Sequence, residues 1–351
     1  MAAAPAIARS IVARCLVAAA RRGLNGSVAV IGRIPLERER LQGPGLARAS
    51  SPADRRWTGA AAARYGSPMP RLPPEQELAA VRTLAERLGL GGTDPAVLKL
   101  AKHTTVRLGP VVARVRSDGE PQAGRAAMAQ EVAVGRRLAR LGAPAVRPSV
   151  DPPPGPHEVG GCVISLWSFV DHHLAGVADA AAAGAALREV HAALASYDGA
   201  LPGYRDTVTR CAALASDAAA LAAAAPEDRV FLARLVRVGL GQAPAYPRGW
   251  IALHGDTHLG NVMMTADGAV WADLEAVCRG PLEWDLCNKP PAFLDAFVGV
   301  DAALLGRLGA LRRACVAVWC WADADRSAEI REAAEYHTAQ LRREAAASRF
   351  A

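Results

Sequence analysis

An α+β protein of two lobes is what the sequence predicts, on three observations. Short β-branched runs at 104–108 and 111–115 flank Gly109-Pro110 in the first half. From Ala178 onward the chain changes to Ala-rich stretches of helical period. Between those helices, short apolar runs at 250–253 and 269–272 bracket a loop that concentrates His, Asp, Gly and Asn. Sheet-forming segments placed ahead of helix-forming ones argue for α+β rather than for alternating strands and helices.

The elements follow in order. Leu78, Val81, Leu84 and Leu88 recur at helical spacing, and Gly89, Gly91 and Gly92 end that helix. The runs 104–108 and 111–115, split by Gly109-Pro110, predict a β-hairpin. Residues 126–141 predict a helix stopped by Gly142 and Pro144. Residues 152–156 are Pro-rich and predict a turn, and 162–170 an apolar strand. Helices are expected over 178–197, 208–225, 227–240 and much of 292–348. Residues 1–70 carry no sustained period and read as a disordered basic Ala/Arg-rich extension, with Met69 as an alternative start. The expected division is therefore an extension at 1–70, a first lobe at 71–166 and a second lobe at 167–351.

Composition narrows the partners. The formal charge is +7, but residues 1–70 hold eleven Arg against Glu37, Glu39 and Asp54, which is 11 − 3 = +8. The remaining chain sums to 7 − 8 = −1, so a basic nucleic-acid-binding face on the body loses its support. No apolar run reaches the ~20 residues of a membrane span. Seven scattered cysteines without a C-x-x-C pair point to reduced thiols and a cytoplasmic setting rather than to a disulfide frame or zinc site.

The specific signal is at 254–275. His254-Gly255-Asp256 is followed by Asn261, and twelve residues later by Asp273-Leu274-Glu275. Transfer of a γ-phosphoryl group asks for a carboxylate to accept the proton of the attacking hydroxyl and for oxygen ligands to Mg²⁺. A loop bearing Asp256 and, five residues on, Asn261 supplies the base and one ligand. Asp273, across a hairpin whose turn signal is Asp267-Gly268, supplies the other. A zinc pair from His254 and His258 would need a helix, which Gly255 and Gly260 oppose.

The stretch HGDTHLGNVMMTADGAVWADLEAVCRGPLEWDL resembles the Brenner-type motif of aminoglycoside phosphotransferases and their kin, among them choline, homoserine, fructosamine and macrolide kinases. It is similar to the H-R-D-x-x-x-x-N and D-F-G pair of protein kinases, with Gly255 where those have Arg. The resemblance implies a protein-kinase-like two-lobed fold, with an antiparallel β-sheet lobe before a helical one. ATP (or GTP) and Mg²⁺ are expected between them. It implies Asp256 as base, Asn261 and Asp273 as Mg²⁺ ligands, His254 as a brace and Asp285 as an anchor behind the loop. Glu275 is expected near the metal through water.

The same resemblance places Arg114 of 111–115 on the strand that contacts the α/β-phosphates, with Glu131 as its helical partner. Arg stands there in place of the usual Lys, which is not a neutral exchange. Backbone near Trp167, Ser168 and Phe169 is expected to meet the nucleotide base, and the turn at 101–104, with Lys102, to cover phosphate. Leu187–His191 resembles the L-x-x-L-H helix of the group, its His191 structural. The expected partner is a small-molecule hydroxyl acceptor, not nucleic acid or membrane. The rival reading is a catalytically silent nucleotide-binding protein. No A-P-E segment follows Asp273, and only 12 residues separate it from Asp285, which argues against a protein kinase. Asp295, Asp301, Asp323, Asp325, Glu329, Glu332 and Glu335 would suit a polyamine acceptor, yet helix surfaces carry acids routinely, so the acceptor stays open.

Overall fold

The computed structural model of the chain describes residues 72–92, 94–100, 103–117, 121–245, 249–325 and 327–350. The expectations for residues 1–70 and for Lys102 lie outside them. Two compact units make up the described chain. One takes the residues up to Val132 with Pro148–Phe169; the other takes Ala133–Arg147 and everything from Val170.

The first unit is a five-stranded antiparallel sheet with a helix on it. Helix α1 (Pro74–Arg87) starts on Pro74, whose missing N–H costs nothing in a first turn. Strands β1 (Ala96–Leu100), β2 (Thr104–Leu108) and β3 (Val111–Arg116) are joined in antiparallel register, Leu108 opposite Val111 across Gly109-Pro110. Helix α2 (Pro121–Arg140) follows, then β4 (His157–Val159) and β5 (Cys162–Ser168), giving the order β1-β2-β3-β5-β4. Alternate residues of β2 and β3 (Val106, Leu108, Ala113, Val115) turn inward onto Val81, Leu84 and Ala85 of α1. Glu77 of α1, fully buried, accepts hydrogen bonds from the hydroxyls of Thr104 and Ser117. Edge strand β1 was not anticipated: its burial alternates, but apolar Leu98 and Leu100 take the exposed positions and Lys99 a less exposed one, so the sequence lacks the polar/apolar alternation that marks a half-buried strand.

The second unit is helical around two small β-pairings. Strand β6 (His173–Leu174) precedes α3 (Ala180–Leu194), α4 (Tyr204–Ser216) and α5 (Pro226–Gln242). Strand β7 (Ile251–Leu253) pairs with β10 (Cys278–Gly280), while β8 (Val262–Thr265) and β9 (Gly268–Trp271) form a hairpin with β6 on its edge. Helices α6 (Glu283–Leu286), α7 (Pro291–Leu294), α8 (Ala302–Ala322) and α9 (Ala328–Phe350) complete it. Helix α4 stops at Ser216, short of the expected 225, where Asp217 leaves helical dihedrals and accepts the N–H of Ala219. The core gathers Tyr204, Val208, Leu232, Val236, Leu253, Leu311 and Val318 from four of these elements. Among the described residues, no helix is long and apolar enough to cross a membrane.

Candidate active site

The loop after β7 carries the site, and its shape follows from Gly255. That residue has φ 85°, and a Cβ there would lie 1.9 Å from the Ala276 carbonyl oxygen, so no other residue fits. The chain thus reverses between His254 and Asp256. Behind it, the Asp285 carboxylate of α6 accepts the N–H of His254 through Oδ2 and the N–H of Gly255 through Oδ1, each at 2.8 Å. His191 of α3 places Nε2 2.8 Å from the same Oδ2, and Thr257 donates its hydroxyl to the Asp285 carbonyl. Burial alone would raise the Asp285 carboxyl; the hydrogen bond and charge of His191, with His254 and the Gly255 N–H, outweigh it and hold it below the ordinary range.

His254, expected as a brace, has a hydrogen-bond partner at each ring nitrogen. Its Nε2–H donates to the Ala272 carbonyl at 2.9 Å, and its Nδ1 accepts the Asp256 N–H at 3.3 Å, which fixes the neutral tautomer. Complete burial holds its pKa below the usual value against the pull of Asp285 and Asp256. The ring lies against Trp271, centroids 5.0 Å apart.

Asp256 itself reaches out, its side chain 36% exposed. Arg312 of α8 donates Nη2–H to Asp256 Oδ1 and Nη1–H to the Gly255 carbonyl at 2.8 Å. On the other side stand Asn261 Nδ2, 3.3 Å from Oδ2, and His258 Nε2, 3.6 Å from it. Burial disfavours the charged carboxylate, but His258 and Arg312 outweigh that, and Asp256 lies below the normal carboxylate range.

The hairpin sets Asn261 opposite Ala272, one residue before Asp273. Val262 faces Trp271 in the β8–β9 register, and the ladder continues as Ala272 N–H donates to the Asn261 carbonyl at 2.8 Å. Asn261 Nδ2 also donates to the Asp256 carbonyl at 2.9 Å, which turns Oδ1 the other way. Asp273 has φ 64°, a left-handed bend that Asp tolerates better than most residues. Two hard oxygens, one amide and one carboxylate, suit Mg²⁺, which takes few protein ligands and completes its shell with phosphate and water. Among the described residues no group of three His, Cys, Asp or Glu is placed to hold a metal ion.

In the first unit, Arg114 on β3 pairs with Glu131 of α2, Nη1 to Oε1 3.1 Å, their side chains 13% and 4% exposed. Trp167 is buried, its Nε1–H donating to Ser165 Oγ, and Ser168 faces Val111 at the end of β5. Phe169 donates its N–H to the Pro110 carbonyl, and Arg107 lies 3.6 Å over its ring. Of the acids considered for an acceptor pocket, Asp301 caps α8 and Asp325 pairs with Arg331.

Sequence reasoning missed Arg312 and Thr257. A signal for the first was present: Leu308, Leu311 and Cys315 place Arg312 within the buried stripe of α8, where an unpaired guanidinium would be costly.

Comparison with known proteins agrees with this layout. A family model described as "Phosphotransferase enzyme family" matches residues 87–288, more than half of the chain. No curated protein matches it. Among solved structures, an aminoglycoside-3'-phosphotransferase of type VIII is 19% identical with a TM-score of 0.52, covering 68% of this chain and 98% of that one. Choline kinase LicA from Streptococcus pneumoniae is 11% identical with a TM-score of 0.52, covering 74% and 98%. Amicoumacin kinase hAmiN, in complex with AMP-PNP, Ca2+ and Ami, is 13% identical with a TM-score of 0.50, covering 82% and 95%. At these identities the likeness establishes the fold, the protein-kinase-like α+β architecture.

Proposed function

Because the chain belongs to the phosphotransferase enzyme family, we propose that it transfers the γ-phosphoryl group of ATP or GTP to a hydroxyl of a small molecule, with Asp256 as the base. One observation carries this reading: a half-exposed carboxylate, held on one oxygen by Arg312, stands beside two hard-oxygen side chains gathered at the ends of one hairpin. That is the equipment phosphoryl transfer asks of a protein.

The chemistry needs little more. Asp256 orients the acceptor O–H and takes its proton as the new O–P bond forms. The bond from the γ-phosphorus to the β–γ bridging oxygen breaks, and a nucleoside diphosphate leaves. Held below the ordinary carboxylate range, Asp256 is ionised at neutral pH and can accept the proton. Asn261 and Asp273 would hold Mg²⁺, which when bound neutralises the charge of the phosphates. His254 and Asp285 keep the loop in shape from behind. Glu275, in the turn after Asp273, is assigned an outer position near the metal.

Arg114 is assigned to the α/β-phosphates, with Glu131 holding it in place. Arg in place of Lys keeps the charge and presents its donors as a planar fork, so a bidentate phosphate contact fits. Backbone at Trp167, Ser168 and Phe169 is assigned to the nucleotide base. Relatives support the donor class: the amicoumacin kinase structure holds AMP-PNP and Ca2+, and an aminoglycoside 2'-phosphotransferase-IIIa structure holds GDP.

The deciding experiment is a screen of hydroxylated metabolites and antibiotics for ADP or GDP release, run on the wild type and on Asp256→Ala. Release in the wild type, lost in the variant while nucleotide still raises Tm, is expected. Undiminished turnover in Asp256→Ala would remove the base assignment. Stabilisation by nucleotide with no release from any acceptor would mark a non-catalytic nucleotide-binding protein.

A further inference from the structure

We propose that Arg312 is the positioning residue of the catalytic loop, clamping Gly255 and one oxygen of Asp256 so that the other oxygen is presented to the acceptor hydroxyl. The inference rests on the reading of Asp256 as the base. Its grounds are geometric.

Gly255 is gripped from both sides. Its N–H goes to Asp285 Oδ1 at 2.8 Å, and its carbonyl accepts Arg312 Nη1–H at 2.8 Å. The second arm of the guanidinium reaches Asp256 Oδ1. A planar fork can span a backbone carbonyl and the next carboxylate at once, which a point charge cannot. Among the described residues, Asp256 Oδ2 by contrast meets Asn261 Nδ2 at 3.3 Å and His258 Nε2 at 3.6 Å, contacts at and beyond the edge of hydrogen bonding. Of the two oxygens, Oδ2 is therefore the one left able to accept a proton.

The clamp is itself fixed. The guanidinium carbon lies 4.8 Å from the centroid of the Trp284 ring and 5.7 Å from that of Trp319. Trp284 directly precedes Asp285 in α6, so the anchor for the loop's amides and the platform for its clamp are one short helix. Leu308, Leu311 and Cys315 bury the same stretch of α8. Arg312 is thus a rigid post, 13% exposed, and Asp256 is the part that reaches outward.

The test uses the full chain as wild type, Arg312→Lys, Arg312→Met and Asp256→Asn. Turnover is read as ADP formed from MgATP with the best acceptor of the screen, or with water where no acceptor works. Amide hydrogen exchange is followed over the peptide 253–262. For Arg312→Met, kcat is expected to fall about a hundredfold, the scale of a misplaced catalytic group, with the KM for ATP unchanged. Loop amides should exchange about tenfold faster or more, with β1–β3 unaffected. Arg312→Lys should lie between, since it restores one contact of two.

Folded Arg312→Met with wild-type kcat and wild-type loop exchange would overturn the proposal. So would a parallel fall of Tm, kcat and ATP affinity, which marks a merely structural arginine. Should the Met variant not fold, Arg312→Lys decides by the same readouts. Wild-type turnover in Asp256→Asn would sink the base assignment instead, while exchange still decides whether Arg312 holds the loop.

Discussion

Replacing Asp285 with alanine removes three hydrogen bonds at one buried carboxylate: from His254 N–H, Gly255 N–H and His191 Nε2, each at 2.8 Å. Bonds to a charged group contribute roughly 1.5–3 kcal/mol apiece, but they share one acceptor and do not add. Breaking a buried charged pair by deleting one member costs about 3–5 kcal/mol, and about 4 kcal/mol is the figure we expect here. For a cooperative unit of this size that is a Tm lower by about 8–16 °C. Urea unfolding followed by tryptophan fluorescence reads it, since Trp271 and Trp284 are both buried in the same unit. Asp285→Asn, which keeps one acceptor oxygen, should lie between alanine and wild type. The acid side gives a second check. The folded-state pKa of Asp285 is depressed, so its contribution is complete above the unfolded value of about 3.9 and is lost as pH falls through the folded one. The stability gap between wild type and Asp285→Ala should therefore narrow below about pH 4. A loss smaller than about 1 kcal/mol in the alanine variant, the scale of an ordinary surface change, would refute the idea that this carboxylate anchors the loop.

Four further outcomes are expected. His254 is held neutral by burial, so the unfolded chain takes up a proton that the folded one refuses; stability should fall as pH drops below about 6.5, less so in His254→Asn, in chemical denaturation across pH. Gly255→Ala should lower Tm and abolish turnover, because its Cβ meets the Ala276 carbonyl oxygen at 1.9 Å; normal activity in a thermal-shift and ADP-release assay would contradict the fixed loop. Asp273→Asn should diminish the part of ATP-induced thermal stabilisation that EDTA removes. Arg114→Ala should raise the KM for ATP about 10- to 100-fold, the worth of a charge-assisted contact, in initial-rate measurements.

Much of the site was legible in the chain because its geometry is local. A β-turn at Asp267-Gly268 brings the ends of β8 and β9 together whatever lies around them, and so sets Asn261 opposite Ala272, the neighbour of Asp273. Likewise Gly109-Pro110 sets Leu108 opposite Val111, and through that hairpin puts Arg114 in the middle of the sheet. Edge strand β1 escaped because its exposed positions carry Leu98 and Leu100 and its less exposed face Lys99, so hydrophobicity does not follow the strand period.

By itself, then, the sequence determined most of the elements and the hairpin that sets Asn261 opposite Ala272, next to Asp273. Tertiary structure alone decided what holds Asp256 still. His191 meets Asp285 across 94 residues, and Arg312 meets Asp256 across 56. Such contacts depend on how α3, α6 and α8 pack around the loop, a matter of side-chain volume and burial over the whole unit. No periodicity or turn signal encodes them, and a buried guanidinium declares its partner only when the fold has brought one to it.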